Sequence, residues 1–135
     1  MEIQKFRIVF PGKPIPLSRP RLGRFKVYDP QFSLKKKIIQ CLMQQKHAWK
    51  KIDGPICIDF EFRMPIPKYK QKDKNMENVY HVIRPDVSNM VKFYEDVCQG
   101  HVYDNDSQVV EITARKVYAA AAETIMHVWS KHDNL

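Results

Sequence analysis

Between Arg84 and Val110 the chain reads RPDVSNMVKFYEDVCQGHVYDNDSQVV, and this stretch brings Asp86, Asn89, Lys92, Asp96, Asp104 and Asp106 close together. Carboxylates hold hard cations, and a lysine among them can meet the charge of a phosphate. The whole chain carries a formal net charge of +8. Acidic groups set into a cationic protein point to a metal site that faces a polyanion. If Asp104 to Asp106 is extended, those two carboxylates share a side and face Asp86 across a small gap. Three converging carboxylates suit Mg2+, which takes oxygen ligands.

Taken singly, each feature has a plainer reading. Asp104-Asn105-Asp106 is the composition of a solvated turn, and Asp86 fits a helix N-cap. Lys92 and Asp96 have the spacing of a surface pair contributing about 0.3 kcal/mol. Their order and spacing together carry the metal reading.

A helix must position these groups. Val87, Met90, Val91, Tyr94, Val97 and Cys98 recur at the interval of one helix face. At about 100° per residue, Asn89, Lys92 and Asp96 share the opposite face, with Asp86 just ahead of the first turn. Pro85 disfavours helix before it, so the helix starts between Asp86 and Ser88. Gly100 stops it.

This segment resembles the RusA family of Holliday-junction resolvases. The family pattern is Asp-x-Asp-Asn-x-x-Lys at a helix start, an Asp one turn after the Lys, and an Asp-Asp-x-Gln-Val run further on. Asp86, Asn89, Lys92 and Asp96 fit the first part, and Asp106-Ser107-Gln108-Val109 fits the closing run. Ser88 stands where the family usually has its second Asp, and Asn105 where it often has the first Asp of the closing pair. A Gly-x-Pro segment followed by Arg-Pro-Arg and a Tyr is also common in the family. Arg19, Pro20, Arg21 and Tyr28 match it.

The charge is unevenly spread, with residues 1–51 at +11, residues 52–83 at zero and residues 84–135 at −3. The N-terminal half therefore builds the cationic surface, and the C-terminal half the acidic site. At 135 residues, with 44% hydrophobic and 28% charged residues, the chain has the size and composition of one globular domain, spanning 1–135. No apolar run approaches the roughly 20 residues of a membrane span, and the N-terminus lacks a signal-peptide layout. A cytoplasmic location is the expectation. Cys41, Cys57 and Cys98 have unrelated spacings and read as apolar residues in a reducing compartment.

Ile3 to Phe10 predicts a strand ended by Pro11-Gly12. Gly12 to Lys26 is too rich in proline and glycine for a helix and predicts an ordered arm or loop, on which Arg19, Arg21 and Arg24 grip phosphates. Asp29-Pro30 marks a helix start, with Phe32, Ile38, Ile39, Leu42, Met43 and Trp49 as its apolar face over roughly five turns. Lys35-Lys36-Lys37 reads as its solvated side. Ile56 to Phe62 alternates apolar residues with Asp59 and Glu61, the clearest strand in the chain. Residues 65–80 predict a mobile loop that closes over substrate. Ser107 to Val117 and Thr124 to Trp129 predict two further strands.

This order gives an α+β domain with helices packed on one face of a mixed sheet, RusA-like. The resemblance implies a Mg2+-dependent endodeoxyribonuclease, with Mn2+ as a substitute, that cuts four-way DNA junctions by phosphodiester hydrolysis. Asp86 and Asp106 are the metal ligands with Asp104 in support, and Lys92 stabilises charge at the phosphate. Ser88, Asn89 and Asp96 support the site, and Arg19, Arg21, Arg24 and Lys92 contact DNA. A two-fold symmetric junction needs two cuts, so a homodimer is expected. The rival is a junction-binding module with a weakened site, favoured by Ser88 and Asn105.

Overall fold

The computed structural model describes residues 5–19, 21–23, 27–72 and 74–131. Eight elements follow in chain order: β1 (Lys5–Pro11), β2 (Arg21–Leu22), β3 (Val27–Tyr28), α1 (Phe32–Gln44), β4 (Ile56–Pro65), α2 (Val87–Cys98), β5 (Val109–Ala119) and β6 (Glu123–Ser130). Four of the strands form one mixed sheet in the order β1-β6-β4-β5. β6 is antiparallel to both β1 and β4, whereas β5 runs parallel to β4. β2 and β3 form a separate antiparallel ribbon within the arm.

The period-two pattern sets the two faces of the sheet. Phe6, Ile8 and Phe10 of β1, Ile58, Phe60 and Phe62 of β4, and Met126 and Val128 of β6 are all buried, packed with Leu42 of α1 and with Met90, Phe93, Tyr94 and Val97 of α2. The opposite face carries charge. There Arg115 meets Glu61 at 2.8 Å and Asp59 at 3.3 Å, and Arg63 meets Glu61 at 3.0 Å. Asp59 and Glu61 thus belong to an ion ladder on the sheet's outer face, away from α2.

Two helical expectations meet different outcomes. α2 spans Val87 to Cys98 with Asp86 at its N-cap, and Gly100 follows it at φ 85°, in the left-handed region that ends helices. α1 stops at Gln44, well short of five turns. Its backbone tightens into a 3-10 turn at Lys46–Ala48, and Trp49 is extended. Trp49 is still buried, stacked on Phe6 with ring centroids 5.8 Å apart, so the aromatic contact is made from outside the helix. Phe32 is 61% exposed and takes no part in the core.

The end of the 65–80 segment is docked. Asn78 N donates to Tyr118 O at 2.9 Å, Tyr118 N to Val79 O at 2.8 Å, and His81 N to Lys116 O at 3.1 Å. These bonds satisfy the outer edge of β5 at Lys116 and Tyr118 and lead the chain to Asp86.

Candidate active site

Asp86 holds the N-cap of α2 in an extended conformation, φ −75° and ψ 141°, and its carboxylate makes no capping bond. The carboxylate is left exposed in a cleft lined by Lys13, Pro16, Leu17, Arg84, Pro85 and Asn89. Two turns along the helix, Lys92, Glu95 and Asp96 open into a second cleft with Asp106, Asp29, Lys35, Leu17 and Ser18. Leu17 lines both clefts and lies between them. The arm is fixed there by Leu17 N donating to Asn89 O at 2.9 Å and Ile15 N donating to Tyr94 Oη at 3.1 Å.

Asp106 is placed by a turn whose chemistry is local. Asn105 caps the 3-10 turn Asp106–Gln108, its side chain accepting from Ser107 N at 2.9 Å. Gln108 Oε1 accepts from the amides of Asp104 and Asn105, and its Nε2 donates to Ile52 O and Gly54 O, all at 3.0 Å. Asp106 N donates to Gln99 Oε1 at 3.2 Å, tying the turn to the end of α2.

This turn overturns the expected extended run. Asp104 and Asp106 do not share a side. Asp104 pairs with Lys51, whereas Asp106 reaches the cleft of Lys92 and Glu95. The structure therefore does not bring Asp86, Asp104 and Asp106 together, and among the described residues no three His, Cys, Asp or Glu side chains form a group able to hold a metal ion. Ser88 is exposed on the first turn of α2 and lines neither cleft. Asp96 is bonded to Lys35 at 2.8 Å. Arg19 is exposed just beyond Ser18, Arg21 lies in the ribbon opposite Tyr28, and Arg24 lies outside the described residues.

From sequence Asp29 reads only as a helix start and Lys35 only as part of a solvated face, and neither Glu95 nor Gln31 stands out. Glu95 follows Lys92 by three residues, which places both on one side of a helix, and that was its available signal. Burial pushes the Glu95 carboxyl above its ordinary range, the charge of Asp106 adds to this, and Lys92 opposes it. Two neighbouring carboxylates of this kind fit a hard divalent cation, since Mg2+ is commonly bound by one or two carboxylates with waters and substrate phosphates. Asp106 and Glu95 are the residues that would hold it in this cleft, with Asp86 in the adjoining one.

A mixed sheet with two helices on one face, and an α2 that begins at the Asp86 to Lys92 motif, defines an α+β domain. Residues 11–128 match the family Endodeoxyribonuclease RusA, and the chain belongs to that family. It is also similar to the uncharacterized protein YqaN of Bacillus subtilis (strain 168), with 31% identity over 130 residues, covering 88% of this chain and 90% of that protein. Among the described residues no helix is long and apolar enough to cross a membrane.

Proposed function

We propose that this protein is a Mg2+-dependent, structure-selective endodeoxyribonuclease that resolves four-way DNA junctions by paired phosphodiester hydrolysis, in recombination and repair. The observation that carries the reading is the cleft in which Lys92 and Asp106 meet beneath the arm leading to Arg19, in a chain of the RusA family. Bound Mg2+, or Mn2+ in its place, supplies a water of lowered pKa and Lewis-acid stabilisation of the leaving oxygen.

The chain's own residues do the rest. By the family motif Asp86 and Asp106 are the metal ligands; Asp106 lies in one cleft with Glu95, which adds an oxygen donor there, and Asp86 lies in the adjoining cleft. The Lys92 ammonium stabilises charge that develops on the phosphate, and Asn89 orients a carboxylate or a water. Arg19, Arg21 and Arg24 hold the backbone of the junction arms, as guanidinium groups do bidentately. Asp104, paired with Lys51, is left out of this set. Two such chains form a two-fold homodimer that makes two cuts, and the cytoplasm, where the DNA lies, is its place.

A second reading, a binding module that holds junctions without cutting them, is favoured by Ser88 at the acidic position of the motif and by Asp86 and Asp106 lining different clefts. Incubating labelled four-way junction and linear duplex with the protein, in Mg2+ or in EDTA, separates the two. Paired symmetric nicks in Mg2+ alone support the enzyme; retention of the junction with no nick in Mg2+ or Mn2+ supports the module.

A further inference from the structure

We propose that Gln31 is the positioning residue that seats the cationic arm against the clefts, by bonding the arm's backbone on both sides of Leu17. The inference rests on the reading above in that it takes the arm to contact DNA.

The arm lacks the usual means of holding itself. Pro14 and Pro16 have no amide hydrogen to give, and residues 13–19 lie in no helix or strand. Their part-buried peptide groups must find partners elsewhere. Gln31, only 8% exposed, supplies two of them. Its Oε1 accepts from Ser18 N at 2.8 Å, and its Nε2 donates to Pro16 O at 2.8 Å. A glutamine is suited to this because its amide carries an acceptor and a donor side by side. Leu17, between those two bonds, gives its own amide to Asn89 O at 2.9 Å.

Gln31 is in turn held in place. Its backbone N donates to Asp29 Oδ1 at 2.8 Å, and Asp29 Oδ2 accepts from Lys35 Nζ at 2.8 Å. The same ammonium lies 2.8 Å from Asp96 on α2. A continuous chain of bonds thus runs from the arm through Gln31, Asp29 and Lys35 to the helix that carries Lys92. Arg19 follows directly on Ser18 and is exposed, so the direction in which it leaves the protein is set by the peptide that Gln31 holds. Gln31 acts on bound DNA through Arg19, without touching it.

The test compares Gln31→Ala, Arg19→Ala and the double variant in binding of a four-way junction in EDTA over a salt series. Each lost phosphate contact flattens the log–log slope by about 0.9. Gln31→Ala is expected to flatten the slope as Arg19→Ala does, and to weaken binding roughly tenfold, with the double variant much less than the product of the two because the residues act together. Faster exchange of the Ser18 amide in Gln31→Ala reports the released arm directly. Gln31→Glu keeps the acceptor for Ser18 and loses the donor to Pro16, so it gives an intermediate slope even if the alanine variant folds poorly. A slope unchanged in Gln31→Ala while Arg19→Ala flattens it, or effects that multiply fully, overturns the proposal. An unchanged slope in Arg19→Ala overturns the arm's phosphate role instead, and with it the purpose of the anchor. Ser18 exchange unchanged in Gln31→Ala overturns the anchoring itself.

Discussion

Lys35 Nζ lies 2.8 Å from Asp96 Oδ2 and 2.8 Å from Asp29 Oδ2, so a single ammonium joins the start of α1 to the last turn of α2. Burial opposes the charge on Lys35, but its bonds to Asp29 and Asp96 outweigh burial and raise its pKa; the Lys35 bond in turn lowers that of Asp29. Asp96 thus joins the two helices while it lines the cleft of Lys92 and Asp106.

Lys35→Met is expected to lower stability near neutral pH by about 1 kcal/mol, a modest figure because Asp96 is half exposed. The pH dependence follows from both shifts. The depressed Asp29 contributes above its unfolded pKa and is lost as pH falls through its folded value; the raised Lys35 contributes below its unfolded pKa and is lost as pH rises through its folded value. The gap between wild type and Lys35→Met is thus widest between the ordinary values of 3.8 and 10.5 and closes beyond each. Urea unfolding that gives the same gap at about pH 3 and pH 7 would contradict this.

Asp86→Asn is expected to abolish Mg2+-dependent nicking while junction binding holds or tightens slightly, as one negative charge near the DNA is removed. Because the Asp86 carboxylate makes no capping bond, the cost in stability should stay below about 0.5 kcal/mol. Cleavage by the variant at the wild-type rate sinks the ligand assignment, and a large fall in melting temperature would show a structural role.

Gln108→Ala removes the side chain that accepts from two amides of the Asp106 turn and donates to Ile52 O and Gly54 O. A loss of roughly 1 to 2 kcal/mol is expected, since four hydrogen bonds are broken at once but only the one to Ile52 O is part-buried. Nicking should fall together with stability, since the same turn presents Asp106. Full activity in a destabilised variant would show that Asp106 is placed by other contacts.

Ser88→Asp adds a carboxylate to the first turn of α2, where the motif has one. On the proposed mechanism it lowers the Mg2+ concentration for half-maximal cleavage, and wild type works better with Mn2+. Asp104→Asn leaves the metal titration unchanged, because Asp104 is engaged with Lys51. A titration shifted by Asp104→Asn returns that residue to the metal site. Cleavage by Ser88→Asp alone, with wild type inert at every metal concentration, favours the binding module.

Short-range regularities were legible in the sequence. The apolar recurrence from Val87 to Cys98 is a property of the helix itself, and α2 forms where it falls, with Asp86 before it and Gly100 after it. The alternation from Ile56 to Phe62 likewise fixes β4 and its buried face, and Asp86, Asn89 and Lys92 keep the spacing that marks the family. Tertiary structure decided which of these groups meet. Asn105 and Gln108 close a capping turn that sends Asp104 to Lys51 and Asp106 to Glu95, because a side chain satisfying a backbone amide competes with an extended run. Lys35 looks like one of three solvated lysines along the chain, yet it bridges Asp29 and Asp96, and Asp96 is far from it in sequence. Leu17 comes to line both the cleft of Asp86 and the cleft of Asp106 because Gln31 and Asn89 hold the peptides of a proline-broken arm. Local periodicity carries no record of such contacts, since they exist only once the helices have packed on the sheet.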